Sequence, residues 1–125
     1  DHGIITAIAG CRFEGNSAIY GGAISNNRAS IGAIEGCSFE GNSGVNGIGA
    51  RYGRGEGGAI HNYGGSIGAI VGCSFEDNSA VYGGAISNFG GDGSIGAIEG
   101  CSFEANSAVV STTSQPGTRA NASKC

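Results

Sequence analysis

The chain has 125 residues, enough for one small domain, and it contains 27 glycines but a single proline. Charged residues make up only 13% and the formal net charge is −4, which argues against a disordered acidic tail and against a nucleic-acid-binding surface. No apolar run reaches the roughly 18 residues that a membrane-spanning helix needs, so we expect no membrane span. Because the chain begins with Asp1 and not with Met, we expect it to be a processed or excised product.

The chain is organised as four copies of one repeat of about 26 residues. The first copy of its central segment runs from Ala7 to Asn16, and the segment returns at 33–42, 69–78 and 97–106. Its cysteines are spaced by 26, 36 and 28 residues, so the second and third intervals contain insertions. A second motif, Gly-Gly-Ala-Ile, begins at Gly21, Gly57 and Gly83.

Three short strand-like pieces follow one another within each unit. In the second unit they are 31–35, 37–40 and the Gly-Gly-Ala-Ile strand, represented by 58–61. Each piece is too short for a helix and is bounded by Gly or Asn. Three strands with a bend after each describe one triangular coil. We therefore predict an all-β fold, a short right-handed parallel β-helix (β-solenoid) of about four coils with three short strands per coil.

The predicted solenoid domain covers residues 1–110, with coils near 4–29, 30–65, 66–93 and 94–114. Residues 111–125 differ in composition, and we expect a Ser/Thr-rich C-terminal strand and tail. Asn121 in that tail begins the sequon Asn-Ala-Ser and is a candidate for N-glycosylation. The insertion at 44–56 is interpreted as a surface loop, with an acidic or sugar partner as the alternative.

Strand alternation predicts ladders in which one position of successive coils lies directly above itself. Three inward ladders form the predicted core: Phe13, Phe39, Phe75 and Phe103; Ile8, Ile34, Ile70 and Ile98; and Ile24, Ile60 and Ile86. An asparagine ladder is expected at a left-handed bend, each amide bonding the next: Asn16, Asn42, Asn78 and Asn106. A second asparagine ladder is expected at Asn26, Asn62 and Asn88.

Four cysteines form a further inward ladder, at Cys11, Cys37, Cys73 and Cys101, and Cys125 is left over. The vertical spacing allows disulfides between Cys11 and Cys37 and between Cys73 and Cys101. A stack of reduced thiols that pack as small apolar groups is the alternative. Cys125 lies 24 residues beyond Cys101, close to the repeat spacing, and is consistent with the start of a fifth coil.

The two motifs together resemble the repeats of a known family. Phe-x-x-Asn, from Phe13 to Phe103, and Gly-Gly-Ala-Ile, from Gly21 to Gly83, are similar to the repeats of chlamydial polymorphic outer-membrane proteins. The resemblance covers roughly residues 4–110 and implies a parallel β-helix of a secreted or surface protein. It also implies an adhesin carried on an autotransporter.

No residue set predicts catalysis or a cofactor. The outward glutamates Glu14, Glu40, Glu76 and Glu104 are interpreted as a solvated acidic stripe, with calcium binding as the weaker alternative. Identical carboxylates on a flat face provide neither a cleft nor two different pKa values, as a glycosidase pair requires. His2 and His61 have no metal-ligand or triad spacing. We therefore predict a protein that is not an enzyme.

The first coil begins near residue 1 and the last coil is nearly regular, so we expect uncapped ends. The leading functional hypothesis is an extracellular structural protein whose copies stack head to tail into a filament or matrix. Arg12, where other coils have Ser, is expected at the junction beside Glu104 of the next copy. The partners expected are other copies of the chain and, in second place, glycans.

Two alternatives come from other functional classes. A surface adhesin that binds glycans would need an aromatic platform, but we expect the tyrosines to be scattered near corners: Tyr20, Tyr52, Tyr63 and Tyr82. An ice-binding protein would need a flat and uncharged outer face, for which Ala23 with Ser25 and Ala85 with Ser87 are the candidates.

Overall fold

A computed structural model describes residues 3–47 and 54–108 of the chain. The predictions on Tyr52, Asn121, Cys125, His2 and the tail strand lie outside these described residues.

The described residues form sixteen short strands in four coils. The first coil contains β1 (Ile4–Ala9), β2 (Arg12–Glu14), β3 (Ser17–Ala18) and β4 (Ile24–Asn27). The second contains β5 (Ser30–Glu35), β6 (Ser38–Glu40), β7 (Ser43–Gly44) and β8 (Ile60–Tyr63). The third contains β9 (Ser66–Val71), β10 (Ser74–Glu76), β11 (Ser79–Ala80) and β12 (Ile86–Phe89). The fourth contains β13 (Ser94–Ile95), β14 (Ile98–Glu99), β15 (Ser102–Glu104) and β16 (Ser107–Ala108).

Each strand pairs in parallel with the equivalent strand of the neighbouring coil. The sheets run β1-β5-β9-β13 with β14 also on β9, β2-β6-β10-β15, β3-β7-β11-β16, and β4-β8-β12. The first residues of the four coils, Ile4, Ser30, Ser66 and Ser94, are in register with one another. The predicted all-β parallel solenoid is therefore confirmed. The described residues contain no helix long and apolar enough to cross a membrane.

The coil has four strands, where the sequence predicted three. The additional strand is the two-residue piece after the asparagine ladder, β3 in the first coil. It pairs through main-chain bonds such as Ser43 N–H to the Asn16 carbonyl at 2.8 Å. Two residues are too few to show an alternating pattern, and this is why the sequence did not reveal them.

The left-handed residue of the bend before this strand lies one position earlier than the sequence predicted. The asparagines of the ladder do not have positive φ; the residue before each one does, at 66° for Gly15, 63° for Gly41, and 55° for Asp77 and Ala105. The left-handed residue turns the chain, and the asparagine that follows is free to direct its amide along the stack.

The Gly-Gly pair of each coil has two separate causes. Gly57 has a φ of 70°, a conformation that favours glycine. Gly58 has no such φ, but a Cβ placed there would collide with the main-chain oxygen of Gly84 in the next coil. The backbones of successive coils therefore approach too closely at this corner for any side chain.

The core is a set of stacked identical residues. The rings of the phenylalanine ladder lie 4.9, 4.8 and 4.7 Å apart along the stack, and their planes are within 6° of parallel. Isolated ring pairs prefer offset or edge-to-face contacts, so the parallel arrangement is imposed by the spacing of the strands. Phe39 and Phe75 are fully buried together with Ile34, Ile60, Ile70 and Ile86, whereas Phe13 and Phe103 in the end coils are half-buried.

Candidate functional site: the ladders and an aromatic cleft

The asparagine ladder is a chain of amides that all point the same way. Asn42 donates from its main-chain N–H and from Nδ2 to Oδ1 of Asn78, each at 3.0 Å. Asn16 donates in the same way to Asn42, and Asn78 to Asn106. The Nδ2 group of Asn42 also donates backward, to the Phe13 carbonyl at 2.9 Å.

The second predicted asparagine ladder has the same direction. Asn26 Nδ2 donates to Asn62 Oδ1, and Asn62 Nδ2 to Asn88 Oδ1, both at 2.7 Å. Asn26 and Asn62 are buried, so these bonds satisfy groups that water cannot reach.

The cysteine ladder contains reduced thiols. Cys11, Cys37 and Cys73 are free, so neither disulfide that the sequence allowed is formed. Each inner sulfur lies near a carbonyl of the preceding coil, as Cys73 Sγ does at 3.4 Å from the Ile34 oxygen. Burial raises the pKa of the Cys73 thiol to about 11, with smaller contributions from the neighbouring cysteines. A thiol of this kind is inert and packs as a small apolar group.

The glutamates of the acidic stripe lie in register, Glu14 beside Glu40, Glu40 beside Glu76, and Glu76 beside Glu104. Arg12 Nη2 lies 3.1 Å from Glu14 Oε2 and 3.2 Å from Glu40 Oε2. Arg12 thus reaches toward the second coil of its own chain, and not toward the open edge where a junction with Glu104 was expected. Among the described residues no group of three or more His, Cys, Asp or Glu could hold a metal ion.

His61, which the sequence left isolated, contacts an acid in the structure. Its Nδ1 lies 3.5 Å from Glu56 Oε2, and the two residues are only 4% and 8% exposed. Glu56 ends the insertion of the second coil and bridges in parallel to Tyr20 and to Tyr82. The insertion therefore does more than form a surface loop, since its last residues return to the stack.

Register also places Ser87 beside His61. Serine, histidine and glutamate are the residue types of an acyl-transfer triad, in which the serine bonds the histidine and is open to substrate. Here Ser87 is fully buried, and its Oγ makes no hydrogen bond with any described residue. The geometry lacks the nucleophile–base contact, so the set gives no support for catalysis.

Aromatic rings gather around this pair, contrary to the expected scatter. Successive ring centroids are 5.1 Å apart from Tyr20 to His61, 6.3 Å from His61 to Tyr63, and 5.7 Å from Tyr63 to Phe89. These rings line a cavity of about 340 Å³ together with Glu56, Ser25 and Asn27. We call it the aromatic cleft. Its signal was present in the sequence, because the repeat register aligns position 27 with 63 and 89.

The face proposed for ice binding is not flat and open. Ala85 and Ser87 are both fully buried, and in the other pair Ser25 is exposed but Ala23 is half-buried. The expectation that both pairs face outward to solvent is therefore wrong. The contacts around His61 are the reason, since this side of the sheet is occupied by the rings of the aromatic cleft.

Residues 10–27 and 72–88 match the Chlamydia polymorphic membrane protein repeat. Two segments of this chain are thus similar to that repeat. The two matches run through the Cys, Phe and Asn ladders and the Gly-Gly-Ala-Ile strand of the first and third coils. Comparisons with curated proteins and with solved structures gave no match.

The two matched segments include Cys, Phe and Asn ladder residues of the first and third coils and only part of the aromatic cleft. Tyr20, Ser25 and Asn27 lie inside the first matched segment. Glu56, His61, Tyr63 and Phe89 lie outside both matched segments. The matched segments therefore contain three of the residues that line the cleft.

Proposed function

We propose that this chain is a non-catalytic structural module of a secreted or cell-surface protein, and that its copies stack end to end into a filament or matrix. The name of the matched repeat, which refers to membrane proteins of Chlamydia, supports the surface location. The observation that carries the proposal is the common direction of the two asparagine ladders.

This direction makes the two faces of the stack complementary. Oδ1 of Asn16 receives no hydrogen bond from any described residue, whereas Asn42 Oδ1 receives two from the preceding coil. Asn106 has no asparagine of a following coil among the described residues to which it donates. A head-to-tail contact would bring the donors of Asn106 onto the acceptor of Asn16. A contact between two first coils would oppose two acceptors.

The end coils also expose apolar surface that a further coil would cover. Ile5 is 48% exposed on β1, and Ile98 is 38% exposed in the fourth coil. Their counterparts Ile31 and Ile70 in the inner coils are nearly or fully buried. Stacking would therefore bury apolar side chains and satisfy the edge strands at the same time.

A head-to-tail contact between unlike faces does not close on itself, so it propagates. The expected products are rods whose length varies in whole multiples of one chain. Electron microscopy and light scattering on the purified chain test this. Discrete particles of a single chain at micromolar concentration would overturn the proposal.

One substitution can block the junction while keeping the fold. Ser30 N–H bonds the Gly3 carbonyl and Ser66 N–H the Ala29 carbonyl, so by register Ile4 N–H points away from the second coil. Ile4→Pro removes only this outward donor, which proline at an edge strand allows. We expect the variant to remain monomeric and as stable as the parent. Ile4→Ala, which keeps the N–H, is the matched control and should still assemble; assembly of Ile4→Pro equal to that of the parent would contradict the model.

A further inference from the structure

Two positions on the outer face of the sheet β4-β8-β12 differ between coils. Most ladder positions repeat one residue, as in Ser38-Phe39-Glu40, Ser74-Phe75-Glu76 and Ser102-Phe103-Glu104. By contrast, Ser25, His61 and Ser87 share one position of the outer face, and Asn27, Tyr63 and Phe89 share another. Positions that the fold itself demands recur in every coil, so the fold does not fix the residue at these two positions.

The residues at these varied positions form the aromatic cleft. Its rings follow one another across three coils as a strip and do not surround a single point, with angles of 35°, 15° and 34° between successive planes. Tyr20 at one end is 43% exposed, and Tyr63 and Phe89 are half-buried. The strip therefore offers ring surface at a concave site of the size that small ligands occupy.

Polar groups accompany the rings at two depths. Glu56 and His61 lie at the floor of the cleft, and Ser25 and Asn27 are exposed at its rim. Burying an acid beside a histidine carries a desolvation cost. The equivalent position is filled by serine in the first and third coils, so the fold does not require the histidine.

We propose that the aromatic cleft binds a neutral linear oligosaccharide. The C–H faces of pyranose rings pack on aromatic rings, and successive sugars would follow the strip from Tyr20 toward Phe89. The sugar hydroxyls would bond the carboxylate of Glu56 and the side chains of Ser25 and Asn27. This is a second function on the outer face, and it does not depend on end-to-end stacking.

The surroundings favour a neutral ligand over a cation. Quaternary ammonium groups are held by rings that surround one point, which this strip does not do. The guanidinium of Arg28 lies 5.8 Å from the Tyr63 ring centroid and places positive charge beside the cleft. The Glu56 carboxylate at the floor opposes an anionic sugar. Tetramethylammonium is therefore the probe for the competing ligand class.

The test is calorimetric titration of the chain with cellotetraose, chitotetraose and maltotetraose. We expect at least one of them to bind, and we expect Tyr63→Asn and Tyr20→Ala each to weaken that binding by about tenfold or more. Tyr63→Asn introduces the residue that the first coil already has at this position, so the fold should tolerate it. Circular dichroism and urea unfolding of each variant verify that the chain is folded.

Tyr82→Ala is the matched control. Tyr82 shares the ladder position of Tyr20, with Glu56 between them, but does not line the aromatic cleft. Binding by Tyr82→Ala should equal that of the parent chain. The proposal is overturned if none of the three tetrasaccharides binds at millimolar concentration, if Tyr82→Ala loses as much affinity as Tyr20→Ala, or if only tetramethylammonium binds.

Discussion

Asn42 and Asn78 are joined by two hydrogen bonds to one oxygen, since both the main-chain N–H and Nδ2 of Asn42 reach Oδ1 of Asn78 at 3.0 Å. Both residues are fully buried, and Nδ2 of Asn78 also donates to the Phe39 carbonyl at 3.0 Å. A single amide of the third coil thus satisfies two main-chain groups of the second coil. This is how a stack with few large apolar residues stabilises its bends.

Asn78→Ala should be strongly destabilising. It leaves the Asn42 main-chain N–H and the Phe39 carbonyl without this partner and removes one of the two hydrogen bonds of Asn42 Nδ2. Each unsatisfied buried group costs about 1–3 kcal/mol. We expect the free energy of unfolding, measured with urea, to fall by about 3 kcal/mol or more. Asn16→Ala is the matched control in the exposed end coil and should cost about 1 kcal/mol. An equal loss in the free energy of unfolding of the two variants would show that the contribution of a ladder asparagine does not depend on its burial.

Gly58→Ala should disrupt the corner where coils approach most closely. The added Cβ would collide with the Gly84 oxygen and lie 2.7 Å from Ser79 N, both main-chain atoms that cannot move alone. We expect a loss of about 3 kcal/mol or failure to fold. At Gly91 a Cβ meets nothing within 4 Å, so Gly91→Ala should change the stability by less than about 1 kcal/mol. Thermal unfolding of both variants measures the difference. Similar unfolding midpoints would contradict the close approach of the main chain at Gly58 and Gly84.

The thiols should differ greatly in reactivity. Cys11 is exposed, whereas Cys73 is 2% exposed and its pKa is raised to about 11 by burial. At pH 8 we expect iodoacetamide to modify Cys11 rapidly and Cys73 only as fast as the coil opens. Mass spectrometry of peptides taken during the reaction distinguishes the sites. Early modification of Cys73 in the folded chain would contradict its placement in the core.

The raised pKa of the Cys73 thiol leads us to expect a loss of stability at alkaline pH. The native pKa of Cys73 is about 11 and the ordinary value is 9.0, so the folded state holds this proton more tightly than the unfolded state. The contribution is fully present below pH 9 and is lost as the pH rises toward 11, by about 2 kcal/mol. The free energy of unfolding, measured with urea between these pH values, should therefore decline more steeply in the parent chain than in Cys73→Ala. If the free energy of unfolding declines equally in both chains, Cys73 does not contribute to the loss of stability at alkaline pH.

Arg12→Ser should reveal the repulsion within the acidic stripe. The serine is the residue of the other coils, and the change removes contacts to Glu14 and Glu40 that are largely solvent-exposed. We expect a loss of about 0.5–1 kcal/mol at low ionic strength that disappears at high salt. Urea unfolding at the two salt concentrations measures it. A loss independent of salt would point to packing by the arginine stem instead.

The sequence predicted those features that the repeat imposes on every coil. Phe39 and Asn42 could be assigned to ladders because the spacing of the cysteines aligns them with their counterparts, and parallel in-register pairing then fixes their neighbours. The sequence was less informative about the bends. Asp77 and Asn78 are both compatible with a left-handed backbone, and only the structure shows that Asp77 adopts it.

The aromatic cleft was missed for a different reason. Glu56 belongs to an insertion that has no counterpart in the other coils, so no alignment of the repeats could place its carboxylate beside His61. Tyr20 and Tyr63 look scattered along the chain, yet they become neighbours of His61 once the coils are stacked. Residues that depart from the repeat have to be compared across coils, and not along the chain, before such a group becomes visible.

Because each strand bonds its own counterpart in the next coil, the fold sets no length of its own. Removing residues 66–93 as one whole coil would leave Phe39 in register with Phe103 and Asn42 with Asn106, so the same ladders would close again one step shorter. We therefore expect the fold to tolerate the addition or loss of a complete unit, whereas a single-residue deletion would shift the register of its coil. Unequal recombination between the repeats of the gene would then change the length of the solenoid by whole coils. Each resulting chain would still have the register that it needs to fold.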